Sequence, residues 1–253
     1  GGPTISSFEQ KVCEYNNDSD DHYVAVSSAT AGLELALQLV NHKSSYQAED
    51  EIIVPSWSWV ASGFTIKNVG ATPVWCDVNK FGVPCVETIE PKITARTKCI
   101  LIVHQMGIPC DLDPIIALGK KYNIKIVEDS ACAFGSEYKD KKIGCSPNPS
   151  VYSFQARKCL TTGEGGMISV RCKEDAEWLK SMRAFGTTIS PLERDKAKFL
   201  LKESFDKIGT NYKLSDIQAA IGIAHLSYFN EEIQKRTQVA QNYINLLSKN
   251  NRV

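Results

Sequence analysis

Short apolar runs alternate with longer amphipathic stretches along this chain, and that alternation predicts its elements. Residues 24–27, 51–54, 72–78, 99–104, 124–128, 151–154 and 167–170 read as strands. CILIVH (99–104) and IKIVE (124–128) are near-continuous apolar runs, as strands covered on both faces are. Between them the spacing predicts helices over 31–40, 59–67 and 112–122, the last introduced by the capping-type residues Asp111 and Asp113. From Lys173 onward the pattern is helical, over 174–184, 214–226 and 230–248. Strands alternating with helices predict an α/β protein of three layers, a mostly parallel sheet flanked by helices. In such sheets ligands collect at the carboxyl ends of the strands.

Composition narrows the class. With 253 residues and 43% hydrophobic side chains, the chain has the means for a sizeable core, as one large domain or two small ones. Its 29 basic and 29 acidic residues balance, leaving no electrostatic footprint for nucleic acid or an anionic membrane. No apolar run approaches the ~20 residues that span a bilayer. Nine cysteines, an odd number without a CxxC pair or a Cys/His cluster, read as reduced core thiols of a cytoplasmic protein, with no disulfide framework and no metal site. The chain starts at Gly1 without a methionine, and its last helix runs toward Val253 without capping logic, as a helix leading into a further domain would.

Four features fall just after predicted strands. Ser27-Ser28-Ala29-Thr30-Ala31-Gly32 makes a strand-to-helix turn whose free N–H groups and helix dipole suit a phosphate; an ordinary Ser/Thr cap explains it equally well. Trp57 and Trp59 offer either a flat face for a ring or a pair of core aromatics. Asp129, at the end of a buried strand, is either a helix cap or a carboxylate that needs a cation. Lys158, in SFQARKCLTTGEGG, is a solvated loop lysine or an amine poised for imine chemistry, with Ser153 five residues before it to bind phosphate. The glycines that follow need no more than a tight turn, and they lack the lysine and spacing of a nucleotide P-loop. Together, a phosphate cradle, an aromatic face, a carboxylate and a lysine are the parts that pyridoxal 5′-phosphate (PLP) requires.

These segments closely resemble the DegT/DnrJ/StrS family of PLP-dependent sugar aminotransferases. SSATAGLELAL, DEIIVPSWSWVAS, VHQMGIPCDLDPI, VEDSACAFGS, YSFQARKCLTTGEGG and GTNYKLSDIQAAIG carry the likeness across nearly the whole chain. The resemblance implies the large domain of the aspartate aminotransferase-type fold over 1–253, with a short N-terminal piece and a smaller C-terminal domain missing. It implies Lys158 as the Schiff-base lysine and proton shuttle, Asp129 against the pyridine nitrogen and Trp59 stacked on the ring. Thr30, Ala31 and Ser153 would bind the phosphate, and Asn211 would reach the phosphate of a neighbouring subunit, which implies a homodimer with shared active sites. The implied reaction is transamination of a nucleotide-linked keto sugar with L-glutamate as amino donor, in amino-sugar, polysaccharide or secondary-metabolite biosynthesis.

The chain departs from the family pattern at four places. Cys132 stands where a glutamine near the cofactor hydroxyl is common, Ala29 where glycine is, Arg157 where threonine is and Lys213 where arginine is. A PLP-dependent sugar dehydratase is a second reading, opposed by Lys158, since such relatives carry histidine there. A regulatory or scaffolding member of the same fold is a third, opposed by the retained lysine, aspartate and phosphate residues together. His104 ends a strand and is either a cofactor contact or a satisfied buried histidine. Glu164 either lines the site or is solvated, and the charged stretch 187–205 is a candidate cover over it.

Overall fold

The computed structural model describes residues 2–17, 22–41, 45–189 and 204–248. Most of the candidate cover, residues 190–203, lies outside the described residues. In chain order the helices are α1 (Pro3–Asn16), α2 (Ala29–Val40), α3 (Val60–Asn68), the short α4 (Val86–Ile89), α5 (Leu112–Tyr122), α6 (Lys173–Met182), α7 (Asp216–Leu226) and α8 (Phe229–Leu247). The strands are β1 (His22–Val26), β2 (Glu51–Pro55), β3 (Thr72–Cys76), β4 (Thr97–Val103), β5 (Lys125–Asp129), β6 (Glu137–Tyr138), β7 (Lys141–Lys142), β8 (Ser150–Ser153) and β9 (Gly166–Val170).

Seven strands form one sheet in the order β1-β9-β8-β5-β4-β2-β3, while β6 and β7 pair as a separate hairpin. Every pairing from β8 through β5, β4 and β2 to β3 is parallel; β9 alone runs antiparallel, between β8 and β1. That exception positions the site. The loops after β1, β2, β4, β5 and β8 leave from one edge, and β9 enters from the same edge, with Gly166 paired to both Val26 and Ser153. The glycine-rich turn therefore lies beside the phosphate-type turn, although about 130 residues separate them in sequence.

Both faces are covered, as the unbroken apolar strands require. One core packs Leu33, Leu35, Leu37 and Leu39 against Val24, Val54, Val127 and Val151. A second packs Ile115 and Leu118 of α5 against Ile53, Ile100, Ile102 and Ile126. Cys76, Cys99 and Cys110 are buried core thiols, and burial pushes Cys76 up to about 11 and Cys99 up to about 12.

A third core contains α1, an element the hydrophobic pattern did not foretell. Its Ile5, Phe8 and Val12 are buried against Phe154, Met167 and Ala219. The buried Glu9 accepts from the Ala25 N–H (2.9 Å) and from Arg183 Nη1 (2.7 Å), while the Ile5 N–H donates to Asp216 (3.1 Å). Asp111 occupies the N-cap position of α5 without a side-chain capping bond; its carboxylate instead accepts from the Tyr138 hydroxyl, and Asp113 pairs with Lys139.

Candidate active site

The turn after β1 is both a cap and a cradle. Ser28 is the N-cap of α2, its Oγ accepting from the Ala31 N–H (3.1 Å), and the Gly32 N–H closes the first helical bond on Ser28 O (3.0 Å). The N–H groups of Ala29 and Thr30, which have no partner within the helix, are left for an anion at the positive end of the helix dipole. Ala29 has an ordinary negative φ, so the departure from glycine introduces no strain there. Across from it, a Cβ on Gly166 would lie 2.7 Å from Ala29 N and 2.8 Å from Ser28 O. Only a glycine lets β9 approach the turn this closely. Gly163, with φ +82°, supplies the turn that sequence reasoning assigned to the run, whereas Gly166 serves close approach. Gly166→Ala is expected to lose about 1–3 kcal/mol of stability and to weaken phosphate binding at the turn. Urea denaturation and a PLP titration read the two effects, and unchanged values for both would remove the close-approach role.

Asp129 closes the floor of the site. It is the last residue of β5, nearly fully buried, and accepts from the Ser62 hydroxyl (2.9 Å) and the Ala131 N–H (3.1 Å). Ser62 Oγ is in turn 2.7 Å from Ser58 Oγ, just before the start of α3. Burial pushes the Asp129 carboxyl above its ordinary range, opposed by the Ala131 N–H, the Ser62 hydroxyl and the positive charge of Lys158. Such a group gains from a cation placed against it. Neighbouring Glu128 points to the other face and accepts from Asn148 (2.8 Å), Ser146 and His104 Nε2 (3.1 Å). His104 Nδ1 accepts from the Cys110 N–H (3.0 Å), which places the ring proton on Nε2, facing Glu128. His104 is thus a satisfied buried histidine, fully enclosed and outside the cleft.

Beyond β8 the chain turns so that the Lys158 N–H donates to Gln155 O (2.8 Å), and His225 of α7 pins the loop by accepting from the Thr161 N–H (3.1 Å). Lys158 Nζ points back across the strand ends and donates to Cys132 Sγ at 3.1 Å. A cleft of about 790 Å³ opens here, lined by Ser28, Thr30, Trp59, Asp129, Ser153 and Lys158. Gln105, Met106, Cys132, Gln155, Arg157 and Glu164 are also among its walls. Trp59 is 71% exposed and Trp57 47%, so neither is a core aromatic.

Five of the seven residues singled out in the sequence meet in this cleft; Ala31 and Asn211 do not line it. The Ala31 N–H is committed to the Ser28 cap, which leaves Ala29 and Thr30 as the free donors. Asn211 is exposed and accepts from Lys213 Nζ (2.5 Å), which also lies 4.7 Å from the centre of the Phe185 ring. Burial and the nearby Arg183 charge lower the Lys213 ammonium. Sequence reasoning missed Ser62, which is marked only by the groups it touches, and it missed the contact between Cys132 and Lys158.

A mostly parallel, doubly covered sheet with this cleft at its strand ends is the large-domain fold of the PLP-dependent aminotransferases. The chain belongs to the DegT/DnrJ/EryC1/StrS aminotransferase family, whose model matches residues 1–253. It is 36% identical over 243 residues to GDP-perosamine synthase of Escherichia coli O157:H7, covering 96% of this chain and 62% of that protein. Among solved structures it is similar to an aminotransferase from Psychrobacter cryohalolentis (TM-score 0.89, 31% identity, 98% of this chain and 62% of the other). It is also similar to the Streptococcus pneumoniae protein Spr1654 in its PLP-form (TM-score 0.85, 28% identity, 98% and 65%). The chain therefore spans about three fifths of the length of the first two of these relatives.

Proposed function

We propose that this chain is the cofactor-binding part of a PLP-dependent aminotransferase that passes an amino group from L-glutamate to a nucleotide-linked keto sugar. The observation that carries this reading is the convergence of a buried carboxylate, Asp129, and an amine, Lys158, on a cleft that also holds the open N–H turn. The donor set fits the cofactor. Ala29 N–H, Thr30 and Ser153 would hold the phosphate, Asp129 would meet the ring nitrogen, and Trp59 would supply a face. When bound, PLP supplies an aldehyde carbon and a cationic ring that withdraws electrons from the reacting carbon.

The protein's own groups do the rest. Lys158 would hold the cofactor through its aldehyde until a donor amine takes its place, and its freed Nζ would serve as the base at the donor's α-carbon. Asp129 would face the ring nitrogen and favour its protonated form, with Ser62 and the Ala131 N–H fixing its orientation. A nucleotide-linked sugar is supported by the likeness to GDP-perosamine synthase. A homodimer with shared sites is part of the proposal. Its support is the exposed apolar set Trp59, Val60, Phe64, Met106 and Ile108, with Asn211 exposed and outside the lining of its own cleft. Unpaired buried thiols agree with a cytoplasmic setting.

Visible absorption spectroscopy tests the central claim. Adding PLP to the complete protein is expected to give the band of lysine-bound cofactor, and L-glutamate is expected to bleach it to the pyridoxamine form. A folded protein that gives no band, or one that glutamate leaves unchanged, would overturn the cofactor assignment or the donor respectively.

A further inference from the structure

Cys132 is held in place by the turn that follows β5, independently of its own side chain. The Ala131 N–H is bound to Asp129 (3.1 Å), the Ala133 N–H to Ser130 O (2.9 Å), and Ser130 Oγ lies 2.6 Å from Ser150 Oγ. On the other side the backbone at Gly107 presses against Cys132 O, where a Cβ would come within 2.9 Å. The sulfur is thus carried on a fixed frame into the wall of the cleft. Its partner is mobile by nature: a lysine has four rotatable side-chain bonds and three donor hydrogens on its ammonium group. Among the described residues the hydrogen bond to Cys132 Sγ, at 3.1 Å, is the one that Lys158 Nζ makes.

From this geometry we infer that Cys132 is a positioning residue: it parks the Lys158 amine at the mouth of the Asp129 pocket and thereby sets how readily that amine captures an aldehyde. The inference rests on the reading of Lys158 as the cofactor's lysine. A thiol sulfur suits the task because it is a weak acceptor. It orders the lysine stem yet releases the amine when a stronger bond is offered, where a carboxylate in the same place would trap the ammonium as an ion pair. Because Cys132 is exposed in the cleft, shortening it leaves no buried cavity.

The test follows the rate at which the complete protein captures PLP, read from the absorbance of the lysine-bound form and from borohydride trapping located on the Lys158 peptide by mass spectrometry. Cys132→Ala is expected to slow capture by about three- to tenfold, the range set by one modest hydrogen bond. Cys132→Ser, which keeps an acceptor at the same place, is expected to recover most of the rate. Both variants should melt with the parent. A Cys132→Ala rate equal to the parent's overturns the inference, as does a Cys132→Ser variant as slow as Cys132→Ala, since the sulfur would then act through packing. A parent protein that captures no PLP overturns the cofactor reading and this inference with it, so the two failures are told apart by the parent alone.

Discussion

Lys158→Ala is expected to eliminate transamination, by about 10⁴-fold or more, while the fold persists. In the proposed reaction two functions would be lost at one atom. Among the described residues Nζ is the only amine lining the cleft, so no other described side chain there can bond the cofactor aldehyde. It is also the base the proposed reaction requires at the donor's α-carbon, a role worth about 10²–10⁴ alone. The fold has little at stake, because Lys158 is partly exposed and its side chain makes one weak bond, to Cys132. The Ala29 and Thr30 N–H groups are untouched, so the variant is expected to bind PLP through its phosphate without giving the lysine-bound band. Spectra, borohydride trapping and a melting curve on the same sample check all three statements. Turnover in a folded Lys158→Ala protein would end the assignment. Lys158→Arg sharpens the test, since it keeps the positive charge beside Asp129 but not the nucleophile, and is expected to be as inactive as the alanine variant.

How much of this was legible in sequence depended on whether neighbours in space were also neighbours in the chain. The strands could be read because apolar runs such as 99–104 and 124–128 are local, and α5 was placed at its observed bounds by its periodicity. Strand ends shifted by a residue or two, and the run read over 72–78 ends at Cys76. Helix α1 was not legible: its few apolar residues lie among polar ones, and its stability comes from Glu9 with Arg183 and Ile5 with Asp216, contacts that span more than 170 residues. The site followed the same rule. Asp129 and Lys158 are marked by what precedes them, a buried strand in each case. Ser62 is marked only by what it touches, and so is the Cys132 thiol. The tryptophans show the reverse, since their chemistry is readable but their exposure is a tertiary fact.

Asp129→Asn is expected to separate activity from stability, lowering turnover by roughly 10²–10³-fold while making the cofactor-free protein more stable. The asparagine has nearly the same shape, and its network can be rebuilt. The Ala131 N–H still donates to the amide oxygen, the new NH₂ donates to Ser62 Oγ, and Ser62 in turn donates to Ser58, whose shared hydrogen bond runs in either direction. What disappears is a buried charge. Burial raises the Asp129 carboxyl in the folded protein above its unfolded value of about 3.9. A raised pKa in the native state means that the folded protein binds the proton more tightly, so this group's contribution is most favourable below the unfolded pKa and declines as pH rises through the folded one. Removing the charge should therefore stabilise the cofactor-free protein at neutral pH, and the gain should vanish in acid, near and below pH ~4. A gain of about 1 kcal/mol corresponds to a rise of about 2–4 °C in melting temperature for a chain of this size. Binding PLP should reverse the order, because only the carboxylate can pair with a protonated ring, so PLP should raise the melting temperature of the parent more than that of the variant. Melting curves of both proteins at pH 4 and pH 7, with and without PLP, measure every part of this. An asparagine variant less stable than the parent at neutral pH, or one stabilised equally by PLP, would show that Asp129 is held for the fold, and the cationic ring would need another partner in the cleft.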